Sequence, residues 1–137
     1  MEPNETLIEM EFRANTYDID FAGVMSNQVY PRWLEDMRTM LIDRYATIKE
    51  LWEAGAVPVL AHIEIDFKRP VLLLEKVKGR MWVEELHGVK WAVRSEFIKE
   101  DGTVCARSSQ WGVFVDSKTL RPVEAPEVLP RVVPHKG

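Results

Sequence analysis

The sequence predicts an α+β fold, with one long helix wrapped by a curled antiparallel sheet of about five strands. Three observations carry this expectation. Residues 27–45 are the one long stretch that repeats apolar side chains at three- and four-residue steps. From Val57 to Val115 the period falls to two, interrupted by turn formers. Helix and strands are segregated along the chain rather than alternating, which argues against a parallel sheet with crossover helices. The chain has 137 residues and a mass of 15.9 kDa. One domain over residues 1–137 is therefore expected, burying roughly two-thirds of the unfolded surface.

In order, Thr6 to Asn15 alternates loosely, with Leu7, Ile8, Met10 and Phe12 among acidic and basic residues, as a half-buried strand does. A loop rich in turn formers follows, TYDIDFAGVMSN, ending in two good helix caps, Ser26 and Asn27. The long helix should run from about Asn27 to Tyr45, roughly 28 Å. Its apolar face holds Tyr30, Trp33, Leu34, Met37 and Leu41, and Pro31 sits near the first turn, where its missing N–H costs least. A short helix, Ile48 to Ala54, should stop at Gly55. The strand Val57–Phe67 places Val59, Ala61, Ile63, Ile65 and Phe67 on one side and Leu60, His62, Glu64 and Asp66 on the other. Three more strands are expected over Glu75–Leu86, Lys90–Lys99 and Thr103–Val115, joined at His87-Gly88 and at Glu100-Asp101-Gly102. From about residue 117 the chain carries Pro122, Pro126, Pro130 and Pro134 and should be mostly irregular.

Composition narrows the function. A net charge of −4 argues against a general nucleic-acid binder, which needs a basic face to displace counterions. No apolar run is long enough to span a bilayer, and the acidic N-terminal stretch is unlike a secretory signal, so a cytoplasmic protein that uses no membrane is expected. Cys105 is the single cysteine and is expected as a small buried residue. The histidines 62, 87 and 135 are too scattered for a zinc site. Neither metal nor cofactor is expected.

The loop before the long helix is the strongest candidate for chemistry. Asp20 stands a few residues ahead of a helix N-terminus, whose unpaired N–H groups and positive dipole end stabilise a developing oxyanion. Gly23 permits close approach of a ligand to the backbone. A carboxylate there can act as a base, orient water, or attack a carbonyl; it can also simply stabilise a turn. Lys68 and Arg69, a paired cation after a strand, suit phosphate groups or a solvated strand end equally. Tyr30 and Trp33 fit either an acyl pocket or plain core. Glu35 and Arg38 read as a helix ion pair. His62 lacks an obvious partner.

The run Asp20-Phe21-Ala22-Gly23-Val24, followed by Asn27, Tyr30, Trp33, Glu35 and Arg38, resembles the signature of the 4-hydroxybenzoyl-CoA thioesterase-like hotdog family. Ile63 to Pro70, Asp101-Gly102, and Val113 to Asp116 with Arg121-Pro122-Val123 extend the resemblance, in the right order, over about residues 7–128. It implies a hotdog fold, a homodimer or homotetramer with its active site at the subunit interface, and hydrolysis of an acyl-CoA or acyl-carrier-protein thioester. It implies Asp20 as base or nucleophile, and a backbone N–H near Asn27 as the carbonyl-polarising donor. Val24 takes the place of a His that some relatives carry after the glycine.

Two other functions compete. One is a non-catalytic acyl-CoA or carrier-protein binding module, since fold does not fix function. The other is a purely structural dimer. Physics also favours an oligomer, because a curled sheet of this size leaves an edge that needs covering.

Overall fold

In the computed structural model, residues 1–134 are described; His135 and the last residues of the expected domain lie outside them. The chain runs β1 (Ile8–Arg13), α1 (Val29–Asp43), α2 (Ile48–Glu53), β2 (Val57–Phe67), β3 (Lys76–His87), β4 (Lys90–Lys99) and β5 (Val104–Val115). The strands form one antiparallel sheet in the order β1-β3-β4-β5-β2. Helix α1 packs its apolar face (Tyr30, Trp33, Leu34, Met37 and Leu41) onto the sheet. This is the hotdog architecture, a long helix held in a curled sheet. Among the described residues no helix is long and apolar enough to cross a membrane.

Local chemistry moves some boundaries. The long helix starts at Val29, later than Asn27, because Ser26 closes the preceding turn. Its Oγ accepts from the Gln28 N–H at 3.2 Å and its carbonyl from the Val29 N–H at 3.1 Å. Asn27 is left outside the helix. At the other end, the Tyr45 and Ala46 N–H groups both turn onto the Ile42 carbonyl, so Tyr45 also falls outside. Helix α1 is therefore 15 residues, about 22 Å. Thr6 is not the first strand residue. It belongs to a 3-10 turn (Pro3–Thr6), where its buried hydroxyl accepts from the Val83 N–H at 2.7 Å. That N–H lies where the β3–β4 pairing slips between Val83 and Glu85.

A similar slip changes β2. Its pairing with β5 jumps between Leu60 and His62, leaving Ala61 as a bulge. The bulge inverts the alternation. Pro58 and Leu60 share the helix-facing side with Ile63, Ile65 and Phe67, while Val59 pairs with Val113 on the outer side. The expected grouping of Val59 with Ile63 therefore fails. Outside, His62 stacks on Trp111 (ring centroids 6.0 Å apart) and bonds Glu64 at 3.1 Å. The outer face also carries a row of alternating charge through all five strands in register: Glu9, Arg80, Glu96, Arg107 and Asp66.

Among the described residues the segment after β5 has no helix or strand, as expected, yet it completes the core. Leu129 and Val132 are buried, and Val132 exchanges two backbone hydrogen bonds with Leu86, at 2.7 and 2.9 Å.

Candidate active site

The loop from Asp18 to Ser26 is rigidly built, and its two aspartates have separate fates. Asp18 is 5% exposed; one carboxylate oxygen accepts from the Asn15 N–H at 2.9 Å and the other meets Arg32 of α1 at 3.5 Å. Its carbonyl accepts from the Ser26 N–H at 2.8 Å. Asp18 thus anchors the loop to the helix.

Asp20 heads a tight reversal between Ile19 and Met25, which pair as a β-bridge. Its N–H donates to the Val24 carbonyl at 2.9 Å, and the Gly23 N–H donates back to its carbonyl at 3.0 Å. Gly23 has φ +84°, a left-handed conformation that favours glycine. One Asp20 oxygen accepts from the Ala22 N–H at 2.8 Å, and the second has no partner among the described residues. The carboxylate is thereby held by one oxygen with the other free.

Beside the loop lies a pocket of about 230 Å³, lined by Val24, Met25, Asn27, Tyr30 and Phe67–Val71. It gathers five of the eight residues singled out from the sequence: Val24, Asn27, Tyr30, Lys68 and Arg69. Asp20 and Gly23 precede Val24 in the same loop but are not on the wall. Trp33 is not brought to the pocket at all. It stacks on Phe12 (centroids 4.6 Å apart, planes at 16°) and tilts against Phe97 in the core, because its helical position faces β1 rather than β2.

Tyr30 does both jobs left open for it. It is buried against Phe97 and Phe67, and one side forms pocket wall. Burial lifts its phenol far above the usual range, and the neighbouring Cys105 adds to this. The Cys105 thiol is also pushed up by burial and donates to the Phe97 carbonyl at 3.3 Å, so both groups are neutral structure rather than acid–base chemistry. The Asn27 N–H has no acceptor among the described residues and stands free at the start of α1.

On the opposite wall, the Cys105 carbonyl accepts from the N–H groups of both Lys68 (2.9 Å) and Arg69 (3.2 Å), fixing this dipeptide as β2 ends. Arg69 folds its guanidinium onto the Lys68 carbonyl at 2.8 Å. The Lys68 ammonium is exposed and pairs with no carboxylate among the described residues. Sequence reasoning missed Met25, Phe67 and Val71 as walls. Phe67 was legible only as a strand residue; nothing in its spacing shows that the sheet edge opens there.

The geometry defines a class: a hotdog domain with an anchored carboxylate loop, a free backbone donor and a cationic rim around one small pocket. Comparison with known proteins gives the family. Residues 14–133 match the model of the thioesterase-like superfamily, and the chain belongs to that family and is a thioester hydrolase. It is 30% identical over 109 residues to the 1,4-dihydroxy-2-naphthoyl-CoA hydrolase of Parasynechococcus marenigrum, covering 72% of this chain and 70% of that one. Among solved structures, a DHNA-CoA thioesterase from Staphylococcus aureus superposes with a TM-score of 0.80 at 21% identity, covering 86% of this chain and 80% of that one. The S. aureus protein SAV2348, solved with CoA, gives 0.84 at 15% identity, covering 93% and 80%.

Proposed function

We propose that this protein hydrolyses an acyl-CoA thioester to a free acid and CoA, using the loop before α1. One observation carries the reading. An anchored carboxylate with a free oxygen and an unpaired backbone N–H occur seven residues apart, on a loop whose Val24, Met25 and Asn27 wall the pocket. The thioester carbonyl oxygen accepts from the Asn27 N–H as it becomes an oxyanion, helped by the dipole of α1. Asp20 attacks the carbonyl carbon or removes a proton from the attacking water. The C–S bond then breaks and CoA leaves as a thiolate, a leaving group good enough to need no strong general acid; where Asp20 is the nucleophile, water then hydrolyses the acyl–Asp20 anhydride, releasing the acid and restoring the carboxylate. Gly23 holds the reversal that presents Asp20. Lys68 and Arg69 face the CoA phosphates, and Val24 and Tyr30 border the thioester. The similarity to relatives named as aromatic acyl-CoA hydrolases, and the resemblance of the loop to the 4-hydroxybenzoyl-CoA thioesterase-like signature, support an acyl-CoA substrate.

The working unit in this proposal is a dimer joined through β2. Among the described residues this strand pairs only with β5, and its helix-facing side leaves Leu60, Ile63 and Phe67 at 38%, 37% and 47% exposure. An unprotected edge flanked by apolar side chains favours pairing with a second copy, which would close the site over Phe67.

Thiol release from a panel of acyl-CoAs, measured for wild type beside Asp20→Asn, tests the reading. Turnover that drops at least about 100-fold in the variant, with melting temperature kept, supports it. Intact acyl-CoA after prolonged incubation with wild type, alongside clear thermal stabilisation, points to a binding module instead.

A further inference from the structure

A second cavity of about 120 Å³ lies between the C-terminal half of α1 and the sheet. Its walls are chiefly apolar, including Leu41, Leu60, Trp91, Phe114 and Leu129, and Arg38 is the one charged residue among them. Arg38 forms no ion pair with any carboxylate among the described residues; one of its N–H groups donates to the Gln110 Oε1. The sequence suggested Glu35 as its partner, but Glu35 is exposed and acts on Arg38 only through its charge. Burial pulls the guanidinium below its ordinary value.

The surrounding polar atoms are also unpaired. Gln110 is 1% exposed, and its Nε2 has no acceptor. The Trp91 Nε1 on the cavity wall has none either. The Ser95 and Ser108 hydroxyls, which lie opposite each other in β4 and β5 on the same helix-facing side, are likewise unsatisfied. Buried donors without acceptors are rare in folded proteins because each loses its hydration without replacement. Here a cation, Arg38, and a residue with an unpaired N–H, Trp91, share one cavity wall, Gln110 lies behind them bonded to Arg38, and among the described residues no carboxylate pairs with the cation.

This cavity is continuous in register with the candidate active site. The helix-facing side of β2 runs as an apolar strip from Leu60 on the cavity wall through Ile63 and Ile65 to Phe67 on the pocket wall. Gln110 lies opposite Ile63 and Ala106 opposite Phe67, four residues along β5, which is about 13 Å.

We infer that Arg38 and Trp91 bind the far end of the acyl group, with Gln110 positioning the guanidinium, and that this end carries a carboxylate, making the substrate the CoA half-thioester of a dicarboxylic acid. The inference rests on the proposed thioesterase reading. The chain of the acyl group lies along the β2 strip, and the distal carboxylate accepts from the guanidinium, which Gln110 holds in place, and from the indole N–H. Charge-assisted bonds of this kind are the strong ones, and a site built for them rejects the analogue that lacks the acceptor.

The test compares an ω-carboxyacyl-CoA with the methyl-terminated acyl-CoA of the same length. Wild type is expected to favour the carboxylated thioester in kcat/KM by about tenfold or more. Arg38→Met should bring that ratio to one or below. Gln110→Glu, which keeps Arg38 but places a carboxylate against it, should do the same, whereas Arg94→Met on the outer face should leave the ratio unchanged. Separately, the free dicarboxylic acid should raise the melting temperature of wild type and not that of Arg38→Met. Equal use of the two thioesters by wild type, or a ratio unmoved by both cavity variants, overturns the inference. If neither thioester is hydrolysed, the thioesterase reading fails, and the melting shift alone then decides whether the cavity binds a carboxylate.

Discussion

The two edges of the sheet carry similar residues and meet opposite fates. At the β1 edge, Phe12 stacks on Trp33 and packs near Phe97, and Ile8 is buried. At the β2 edge, Phe67, Ile63 and Leu60 face the same helix side yet stay substantially exposed. The difference comes from where α1 lies. The helix rests over β1 and β3, with Met37 against Gly79, and leaves much of the inner side of β2 exposed at Leu60, Ile63 and Phe67. One edge is finished by the chain itself. The other is left for a ligand and a second copy. Both candidate pockets border β2, and neither borders β1.

The sharpest way to break this contrast is to truncate one aromatic at each edge. Phe12→Ala should cost about 3 kcal/mol, as deletion of a packed core ring does. Phe67→Ala, at 47% exposure, should cost under about 1 kcal/mol and lower turnover instead. Chemical denaturation beside thiol-release assays reads both. Equal losses of stability would mean that β2 is as much core as β1.

A second pair probes the backbone. A Cβ on Gly112, beside the bulge in β2, would meet the Val59 carbonyl oxygen at 1.8 Å and the Trp91 ring at 2.7 Å. A Cβ on Gly79 would meet side chains instead, the Met37 sulfur at 2.8 Å and its methyl at 2.9 Å, and the Phe12 ring edge at 2.9 Å. Backbone cannot yield as a thioether can, so Gly112→Ala should cost about 3 kcal/mol and Gly79→Ala about 1 kcal/mol. Thermal melts of the two variants decide it.

Ile63→Lys addresses the open edge directly. The charge falls on a surface exposed in a single chain, so the fold should lose less than about 1 kcal/mol. Light scattering should shift from a dimer to the 15.9 kDa chain, with turnover falling alongside. A variant that stays dimeric would place the interface elsewhere.

The smallest effect concerns acid. Asp116 accepts the Thr119 and Lys118 N–H groups, each at 2.8 Å, which hold its carboxyl below the usual range. A lowered folded-state value means that this contribution is complete above the ordinary carboxylate range, about pH 4, and fades as pH falls below it. Asp116→Asn should therefore slightly flatten the acid limb of melting temperature against pH. An unchanged limb would show that this turn contributes nothing.

Much of this was legible along the chain. Val57–Phe67 and Lys90–Lys99 were bounded correctly by period and turn residues alone, and the loop from Asp20 to Asn27 was singled out by its carboxylate, glycine and following helix. The misreadings share a cause. The bulge at Ala61 inverts the face of Val59 without leaving a trace in the alternation, because inserting one residue changes register and not composition. The tail is mostly irregular, as its prolines imply, but they do not reveal that Leu129 and Val132 are buried. Arg38 was paired with Glu35 by helical spacing, whereas the sheet offered a buried amide nearer to hand.

The amino-acid order by itself therefore settled the fold class, the sequence of elements and the candidate loop, because periodicity, capping and turn chemistry act between near neighbours. It separated neither Asp18 from Asp20 by geometry nor Trp33 from Tyr30 by role. It also did not show that five dispersed polar groups (Arg38, Trp91, Ser95, Ser108 and Gln110) line one side of the helix–sheet interface. Those outcomes depend on how α1 lies across the sheet. That placement is a balance of contacts between residues far apart in the chain, and no local pattern encodes it.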